Sequence, residues 1–211
     1  PIPKDYVDEL GPKYYIINHS QDTSLAELPT LKLIHEFSSN VSNKNILYLH
    51  TKGISYNNNT PRYKNVQDWV NLMLYFLVEK HQKCLFDLKN NDVLGCDYYD
   101  RNDGVPLHFS GNFWWSTSNY IKSLDPTFLV SKQDAEMWIC KNNPKIVEYH
   151  RSPVDHYMDP YPRKMYLDKT SIKRKVVDGF IFYNEIELLK YRLTILNDYV
   201  DYFIISEATH T

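Results

Sequence analysis

One apolar stretch that ends abruptly in polar residues constrains the fold of this chain most. Residues 46–49 (ILYL) are β-favouring, the pattern of a strand buried on both faces, and His50, Thr51, Lys52 and Gly53 follow at once. Ligands of open α/β sheets bind outside the carboxyl ends of the strands. A lysine beside a glycine suits an anion, because glycine lets backbone amides approach closely. We therefore predict a phosphate-binding corner, with an ordinary turn as the alternative.

The order of elements around this strand indicates an α/β domain. A predicted strand at residues 14–18 precedes a helix with Leu31, Ile34 and Phe37 at helical spacing, and the central strand follows. A parallel, right-handed crossover is the default connection for such a unit. We expect a mixed, mostly parallel sheet flanked by helices.

A long helix and a second strand come next. Asn65 is the predicted N-cap of a helix whose apolar stripe runs to Leu88. Residues 93–96 (VLGC) predict a strand that ends at Asp97, a second polar corner. Residues 54–64 are polar and rich in asparagine, which is consistent with a lid over the site or with a plain surface loop.

Residues 108–117 (HFSGNFWWST) predict a strand interrupted by a glycine, which implies a bulge or a close backbone approach. Small polar residues between aromatic ones suggest a sugar-sized cleft. The alternative is a core strand with Trp114 and Trp115 on opposite faces, which buries at least one; we expect Trp115 to be buried. The predicted cleft residues are His108, Ser110, Gly111, Asn112 and Trp114.

Two carboxylates near a helix start are candidates for chemistry. Ser131 and Asp134 form a capping pattern, which by itself explains Asp134. Glu136 lies beside apolar Met137 and Trp138, a setting suited to a general base. In the proline-rich residues 151–165, His156 and Arg163 are candidates for phosphate contacts, with a solvated linker as the alternative.

Composition excludes several classes of protein. The net charge of -2 lacks the basic surplus of a nucleic-acid binder, so we predict no nucleic-acid partner. Aromatic residues make up 15%, which favours stacking surfaces for sugars or bases. Three cysteines without CxxC spacing suggest neither a disulfide framework nor a zinc site. With no apolar run of membrane-span length and no signal peptide, we expect a cytoplasmic protein.

The chain changes character after a basic linker at residues 169–175. A strand at 176–182, a helix at 184–196 and a strand at 202–206 predict a fresh β-α-β unit. We therefore divide the chain into a first domain at residues 1–168 and the beginning of a second at 176–211. Because the sequence starts without methionine and stops after a strand, we expect a piece of a longer protein.

Several segments, in the same order, resemble a group of glycosyltransferase-like proteins found in giant viruses, algae and bacteria. They are LYLHTKGIS, VLGCDY, PLHFSGNFWWS, DAEMW and HYMDPYPRKMY, and they fall within residues 14–166. Phe109 replaces the tyrosine of the family's HYSGNFWW segment. The resemblance implies a GT-A-like nucleotide-diphospho-sugar transferase fold, here lacking the family's first strand. For a viral protein, the expected location is the host cytoplasm.

Residues 175–211 are similar to the opening of the glycosyltransferase family 17 domain, which includes the β-1,4-mannosyl-glycoprotein N-acetylglucosaminyltransferases. Asn184, Glu185 and Glu187 match its N-E-x-(D/E) start. The two resemblances together imply a tandem glycosyltransferase whose partners are a nucleotide-sugar donor and a glycan or glycoprotein acceptor.

The resemblance also implies roles for individual residues. Most GT-A enzymes hold a divalent cation with an Asp-x-Asp pair, and this chain contains none. His50 and Lys52 stand where those carboxylates would be. Our hypothesis is that Lys52, with His156 or Arg163, offsets the diphosphate charge with little or no metal. The alternative is Mn²⁺ or Mg²⁺ held by Asp97 and His156.

Transfer with inversion needs a base for the acceptor hydroxyl, and the predicted base is Glu136, or else Asp134. A rival from another class is a non-catalytic carbohydrate- or nucleotide-binding module derived from a transferase. A hydrolase that uses Asp and His is a weaker third candidate.

Overall fold

The computed structural model describes residues 23–53, 56, 59–167, 177–182, 186–197, 200 and 202–207. The chain separates into two compact units, residues 1–166 and 167–211. The predicted strand at residues 14–18 and the whole basic linker at residues 169–175 lie outside the described residues.

The first unit combines short strands with helices. Its helices are α1 (Leu28–Asn40), α2 (Pro61–Leu74), a π-helical segment (Tyr75–Glu79), α3 (His81–Asp87), α4 (Ser118–Ser123) and α5 (Lys132–Trp138), with 3₁₀ turns at Thr23–Leu25, Pro126–Phe128 and Arg163–Met165. Its strands are β1 (Asn45–Tyr48), β2 (Val93–Gly95), β3 (Tyr98–Tyr99), β4 (His108–Phe109), β5 (Trp114–Thr117) and β6 (Ile146–Glu148).

Four strands form the main sheet, in the order β1-β5-β2-β6. β5 runs antiparallel to both of its neighbours, and only β2 and β6 pair in parallel. The sheet is therefore mixed, as predicted, but the expectation that it is mostly parallel is wrong. Strands β1, β2 and β6 nevertheless run in one direction, so their carboxyl ends meet at one edge, which we call the carboxyl edge.

The reversal of β5 has a local cause in the glycine-containing segment. The predicted single strand at residues 108–117 is two strands, β4 and β5, because Gly111 and Asn112 have left-handed φ angles of 93° and 54°. Glycine and asparagine tolerate this conformation best. The turn directs β5 back between β1 and β2, and it also places Gly111 at the carboxyl edge.

Helix α2 begins four residues before its predicted N-cap. The side chain of Thr60 accepts a hydrogen bond from the Tyr63 amide at 3.2 Å, and Pro61 occupies the first turn. A threonine followed by proline satisfies both preferences of a helix start. Asn65 therefore lies inside the helix, where it is buried.

Apolar side chains cover both faces of the sheet. On β2, Val93 belongs to the cluster with Trp114 and Trp138, whereas Leu94 belongs to the cluster with Trp69. Trp114 is fully buried and Trp115 is half-buried, with its indole donating to the Leu77 carbonyl at 2.7 Å. One tryptophan is core, as predicted, but it is Trp114, because the adjacent Trp115 points to the other, more open face.

The second unit is a β-α-β arrangement, as predicted. Strand β7 (Val177–Phe182) and strand β8 (Tyr202–Glu207) pair in parallel, and helix α6 (Ile186–Leu196) connects them. Among the residues that the structure describes in both units, no helix is long and apolar enough to cross a membrane.

Candidate functional site

Lys52 is a half-buried cation at the carboxyl edge. Its Nζ lies 4.2 Å from the centre of the Trp69 ring. Burial lowers the pKa of the Lys52 ammonium below its ordinary value, and the nearby carboxylates of Glu136 and Glu27 offset part of this effect. Among the described residues, no acid forms an ion pair with Lys52. A partly desolvated cation without a counter-ion is a favourable place for an anionic ligand.

Two residues from other parts of the chain, Asp97 and His156, hold the Trp69 indole in place. The Trp69 indole Nε1 donates to Asp97 Oδ2 at 3.0 Å, and the His156 ring stacks on the indole with centroids 4.8 Å apart. The helical spacing of Val66, Trp69 and Met73 on α2 directs all three into the core. Trp69 is a core residue, as predicted, and its indole also contacts Lys52.

Asp97 is a buried carboxylate in which both oxygens are engaged. Oδ1 accepts from the Ser152 amide at 2.6 Å and the Ser152 hydroxyl at 2.9 Å, while Oδ2 accepts from Trp69 and lies 3.2 Å from His156 Nε2. Burial alone would raise the pKa of Asp97, but the hydrogen bonds from His156 and Ser152 outweigh it and hold the pKa below the ordinary value.

The Asp97–His156 pair does not fit the predicted divalent cation. His156 Nε2 faces Ser152 Oγ at 2.6 Å as well as Asp97, and the ring is only 5% exposed. No group of three or more His, Cys, Asp or Glu suited to a metal occurs in the part of the chain that the structure describes. His156 is buried against Trp69 and supports its indole, and a contact between His156 and a phosphate stays a prediction.

Ser152, His156 and Asp97 do not form a nucleophilic triad either. Both Ser152 Oγ and Asp97 Oδ2 contact the same ring nitrogen, Nε2, and Nδ1 is buried without a hydrogen-bond partner among the described atoms. In a Ser-His-Asp triad the carboxylate orients the imidazole through the other nitrogen. The hydrogen bonds among Ser152, His156 and Asp97 hold the His156 ring against Trp69, and this arrangement does not support the hydrolase candidate.

Glu136 is anchored by the turn before β5. Its Oε1 accepts from the Gly111 amide at 3.1 Å, and the Gly111 carbonyl accepts from His50 Nε2 at 3.0 Å. Because a carbonyl can only accept, Nε2 of His50 carries a proton. His50 Nδ1 lies 3.4 Å from Glu27 Oε1. His50 thus holds the turn through Nε2 and faces Glu27 with Nδ1, while its role as a phosphate ligand stays a prediction.

Glu27 completes this network and was missed in the sequence. Its Oε2 accepts from the Tyr48 hydroxyl at 3.0 Å and from Asn112 Nδ2 at 2.5 Å. Burial, with Glu27 adding to it, raises the pKa of Tyr48 far above its ordinary value, so Tyr48 stays a donor. No motif identifies Glu27, because its partners come from β1 and from the turn 85 residues away.

A family profile described as "Domain of unknown function (DUF8361)" matches residues 6–163, about three quarters of the chain. The chain belongs to the DUF8361 family. No curated protein and no solved structure matches it. The DUF8361 region contains the whole network from Glu27 to His156, and its description names no activity, so the glycosyltransferase resemblance stays a prediction.

The predicted sugar cleft of the DUF8361 domain is mostly packed core. Trp114 is fully buried and donates to Asn112 Oδ1 at 3.0 Å, and Asn112 is itself 2% exposed. His108 is 8% exposed, with its ring stacked on Tyr99. Neighbouring side chains cover these three residues in this structure, and their contact with a sugar stays a prediction. Ser110 remains half-buried, and Gly111 is buried with its amide on Glu136.

Two other predicted residues are engaged elsewhere. Asp134 forms a capping box with Ser131, and the Ser131 hydrogen bond holds the pKa of Asp134 below its ordinary value, which makes it a weak base. Arg163 forms a bidentate pair with Glu79 on the surface. The proposed phosphate role of Arg163 would require this pair to break.

The remaining predicted residues stay at the carboxyl edge. Thr51 is exposed. Gly53 has a left-handed φ of 79°, and an added Cβ there would lie 2.7 Å from Val66 Cγ1, so the turn requires glycine. The structure thus brings Lys52, Gly53 and Glu136 into one site.

Proposed function

We propose that the DUF8361 domain is a glycosyltransferase that moves a sugar from a nucleotide-diphosphate sugar to a glycan or glycoprotein acceptor. The observation that carries the proposal is Lys52, a half-buried ammonium without an ion pair among the described residues, placed where three strands end. An anionic ligand would supply the missing counter-charge. The convergence of β1, β2 and β6 at this edge supports a GT-A-like arrangement.

The site offers the two functions that sugar transfer requires. Glu136 Oε1 is fixed by the Gly111 amide, and no described residue donates to Oε2. In our proposal, Glu136 takes the proton of the acceptor hydroxyl while the hydroxyl oxygen of the acceptor attacks the anomeric carbon of the donor sugar. The bond from that carbon to the diphosphate oxygen breaks, and the diphosphate leaves with the electron pair. Lys52 offsets the charge that develops on the leaving group.

Two further parts of the proposal concern the metal and the second unit. Because Asp97 and His156 are bonded to each other and to Ser152, we propose transfer that does not depend on Mn²⁺ or Mg²⁺. The parallel pairing of β7 and β8 is compatible with the opening of a family-17-like domain.

The decisive experiment replaces Glu136 with Gln in the full chain and measures nucleotide release with a panel of nucleotide sugars and acceptor glycans. Loss of a general base reduces turnover by about 10²–10⁴-fold, while binding of the nucleoside diphosphate, measured by calorimetry, stays intact. Asp134→Asn tests the competing base: as a helix cap, it leaves turnover near that of the wild type. Unchanged turnover in Glu136→Gln overturns the assignment.

Two additional arms separate the alternatives. Transfer that survives a chelator supports the metal-independent proposal, and transfer abolished by the chelator and restored by Mn²⁺ contradicts it. Binding of nucleotide sugars without release of nucleotide, for any acceptor in the panel, favours the non-catalytic binding module.

A further inference from the structure

A second cation lies on the same group of aromatic rings as Lys52. The guanidinium carbon of Arg62 is 4.9 Å from the centre of the Tyr56 ring and 4.8 Å from the centre of the Tyr157 ring. Tyr157 in turn meets Trp69 edge to face, with centroids 5.6 Å apart. We call Trp69, Tyr157 and Tyr56 the aromatic group; it carries Lys52 at one end and Arg62 at the other.

Arg62 differs in its partners from Arg151 and Arg163, although Arg101 also lies over a tyrosine ring, that of Tyr99. Arg151 pairs with Asp100 and Glu148, and Arg163 pairs with Glu79. Arg62 is exposed and forms no ion pair with any acidic residue that the structure describes; its contacts are the two tyrosine rings. Stacking between rings orders the guanidinium while its N–H donors stay available.

Neighbouring groups add to the positive potential here. Arg62 is the second residue of α2, so the positive end of a 14-residue helix lies at its backbone. Lys132 is close enough to Lys52 to lower its pKa further. Three carboxylates oppose these charges. Glu136 and Glu27 raise the pKa of Lys52. Glu136 and Asp155 raise the pKa of Tyr157, so Glu136 acts on both ends of the group.

We propose that Lys52 and Arg62 together bind a diphosphate group, with the aromatic group holding the two cations in place. Arginine presents a planar fork of donors that matches two phosphate oxygens, and lysine adds a point charge. This inference rests on the proposed function for its ligand, the nucleoside diphosphate part of the donor. It replaces Arg163 and His156, which the structure engages elsewhere, with Arg62.

The test is calorimetric titration of the full chain with UDP, GDP and inorganic pyrophosphate, in a chelator-containing buffer. Arg62→Gln is expected to weaken diphosphate binding by about tenfold or more, the effect of losing a charge-assisted hydrogen bond. Arg62→Lys restores part of the affinity. The matched control is Arg163→Gln, another exposed arginine on a tyrosine ring, which leaves binding unchanged. Because Arg62 is exposed, its variants keep the wild-type melting temperature.

The outcomes separate this inference from the proposed function. Failure of all three ligands to bind the wild type, equal affinity in Arg62→Gln, or an equal loss in Arg163→Gln overturns the inference. Tight binding of pyrophosphate with no gain from the nucleoside assigns the site to diphosphate alone. If Arg62→Gln transfers sugar with an unchanged donor KM, the inference is overturned and the proposed function stands. If diphosphate binding depends on Arg62 but the wild type transfers no sugar, the inference stands and the proposed function is overturned.

Discussion

The ammonium of Lys52 lies 4.2 Å from the centre of the Trp69 ring, and it makes no ion pair with an acid in the described ranges. The indole is held in turn by a hydrogen bond to Asp97, a carboxylate that is 9% exposed. A buried carboxylate thus fixes the position of a cation through an aromatic ring. The charge of Lys52 therefore stays available to a ligand.

This relationship predicts how diphosphate binding depends on pH. Burial lowers the pKa of Lys52 from its ordinary 10.5, so Lys52 loses its proton at a lower pH than an exposed lysine does. Binding needs the charged form, and the phosphates are fully ionised above about pH 8. UDP affinity should therefore fall as the pH rises toward 10.5, and the fall should begin below that value.

The matched variant is Lys52→Arg, whose guanidinium keeps its charge throughout this range. Titrations of UDP between about pH 8 and pH 10.5 should give a flat profile for the variant and a declining one for the wild type. Identical profiles for both proteins would show that Lys52 is not the titrating ligand.

A second prediction concerns Asp97 and the stability of the site. Asp97 has a left-handed φ of 52°, which asparagine also tolerates, so Asp97→Asn tests the side chain and not the backbone. The variant loses the negative charge that accepts hydrogen bonds from Trp69, His156 and Ser152. Its free energy of unfolding, measured by urea denaturation at pH 7, should be about 3 kcal/mol lower than that of the wild type. Asp100→Asn, on the exposed surface nearby, should change stability little.

The pH dependence of this difference has a definite sign. The pKa of Asp97 lies below its ordinary value of 3.8, so the contribution of this carboxylate to stability is present above that pH. It is lost as the pH falls through the lowered pKa. The difference between wild type and Asp97→Asn should stay constant down to about pH 4 and shrink below it; a difference that grows on acidification would contradict the role given to Asp97.

The turn that holds Glu136 gives a third prediction. Gly111 has a φ of 93°, and a Cβ there would lie 2.8 Å from Met73 Sδ and 3.1 Å from Trp69 Cζ2. Gly104 has a similar φ of 88° but nothing within 4 Å of an added Cβ. Gly104→Ala therefore measures the cost of the backbone conformation alone, about 1 kcal/mol.

Gly111→Ala should cost about 1–3 kcal/mol more than Gly104→Ala, because the methyl group forces Met73 or Trp69 to move. Chemical denaturation of the two variants side by side measures the difference. The same displacement should move the backbone amide of residue 111 away from Glu136 Oε1, so transfer should fall as well. Equal stabilities of the two variants would mean that the core around Gly111 adapts.

Local pattern was sufficient for elements whose cause is local. The capping box of Ser131 and Asp134 and the strand before Lys52 depend on neighbours in sequence, and both form close to where they were predicted. The expectation of a central strand buried on both faces is wrong for the described sheet, because β1 lies at its edge and is only partly buried. The start of α2 was misplaced because two competing caps, Thr60 and Asn65, lie five residues apart. Only packing of Asn65 into the core shows which one caps the helix.

Long-range contacts explain the side-chain arrangement that the sequence did not predict. His156 and Trp69 were separate features of the sequence, and they meet because Asp97 bonds both. The alternation of Trp114 and Trp115 shows that they face opposite sides of β5, but not which side is better covered, since that depends on helices distant in sequence.

By itself, the sequence determined the α/β class and the strand before Lys52, because these follow from hydrophobic periodicity and from residues adjacent in the chain; it also predicts a site at Lys52 and Glu136. Only the tertiary structure decided that β5 runs antiparallel, that Glu27 and His50 hold the Gly111 turn, and that Arg62 and not Arg163 is the arginine that shares the aromatic group with Lys52. These depend on strand pairing and side-chain contacts between distant segments, which no local pattern encodes.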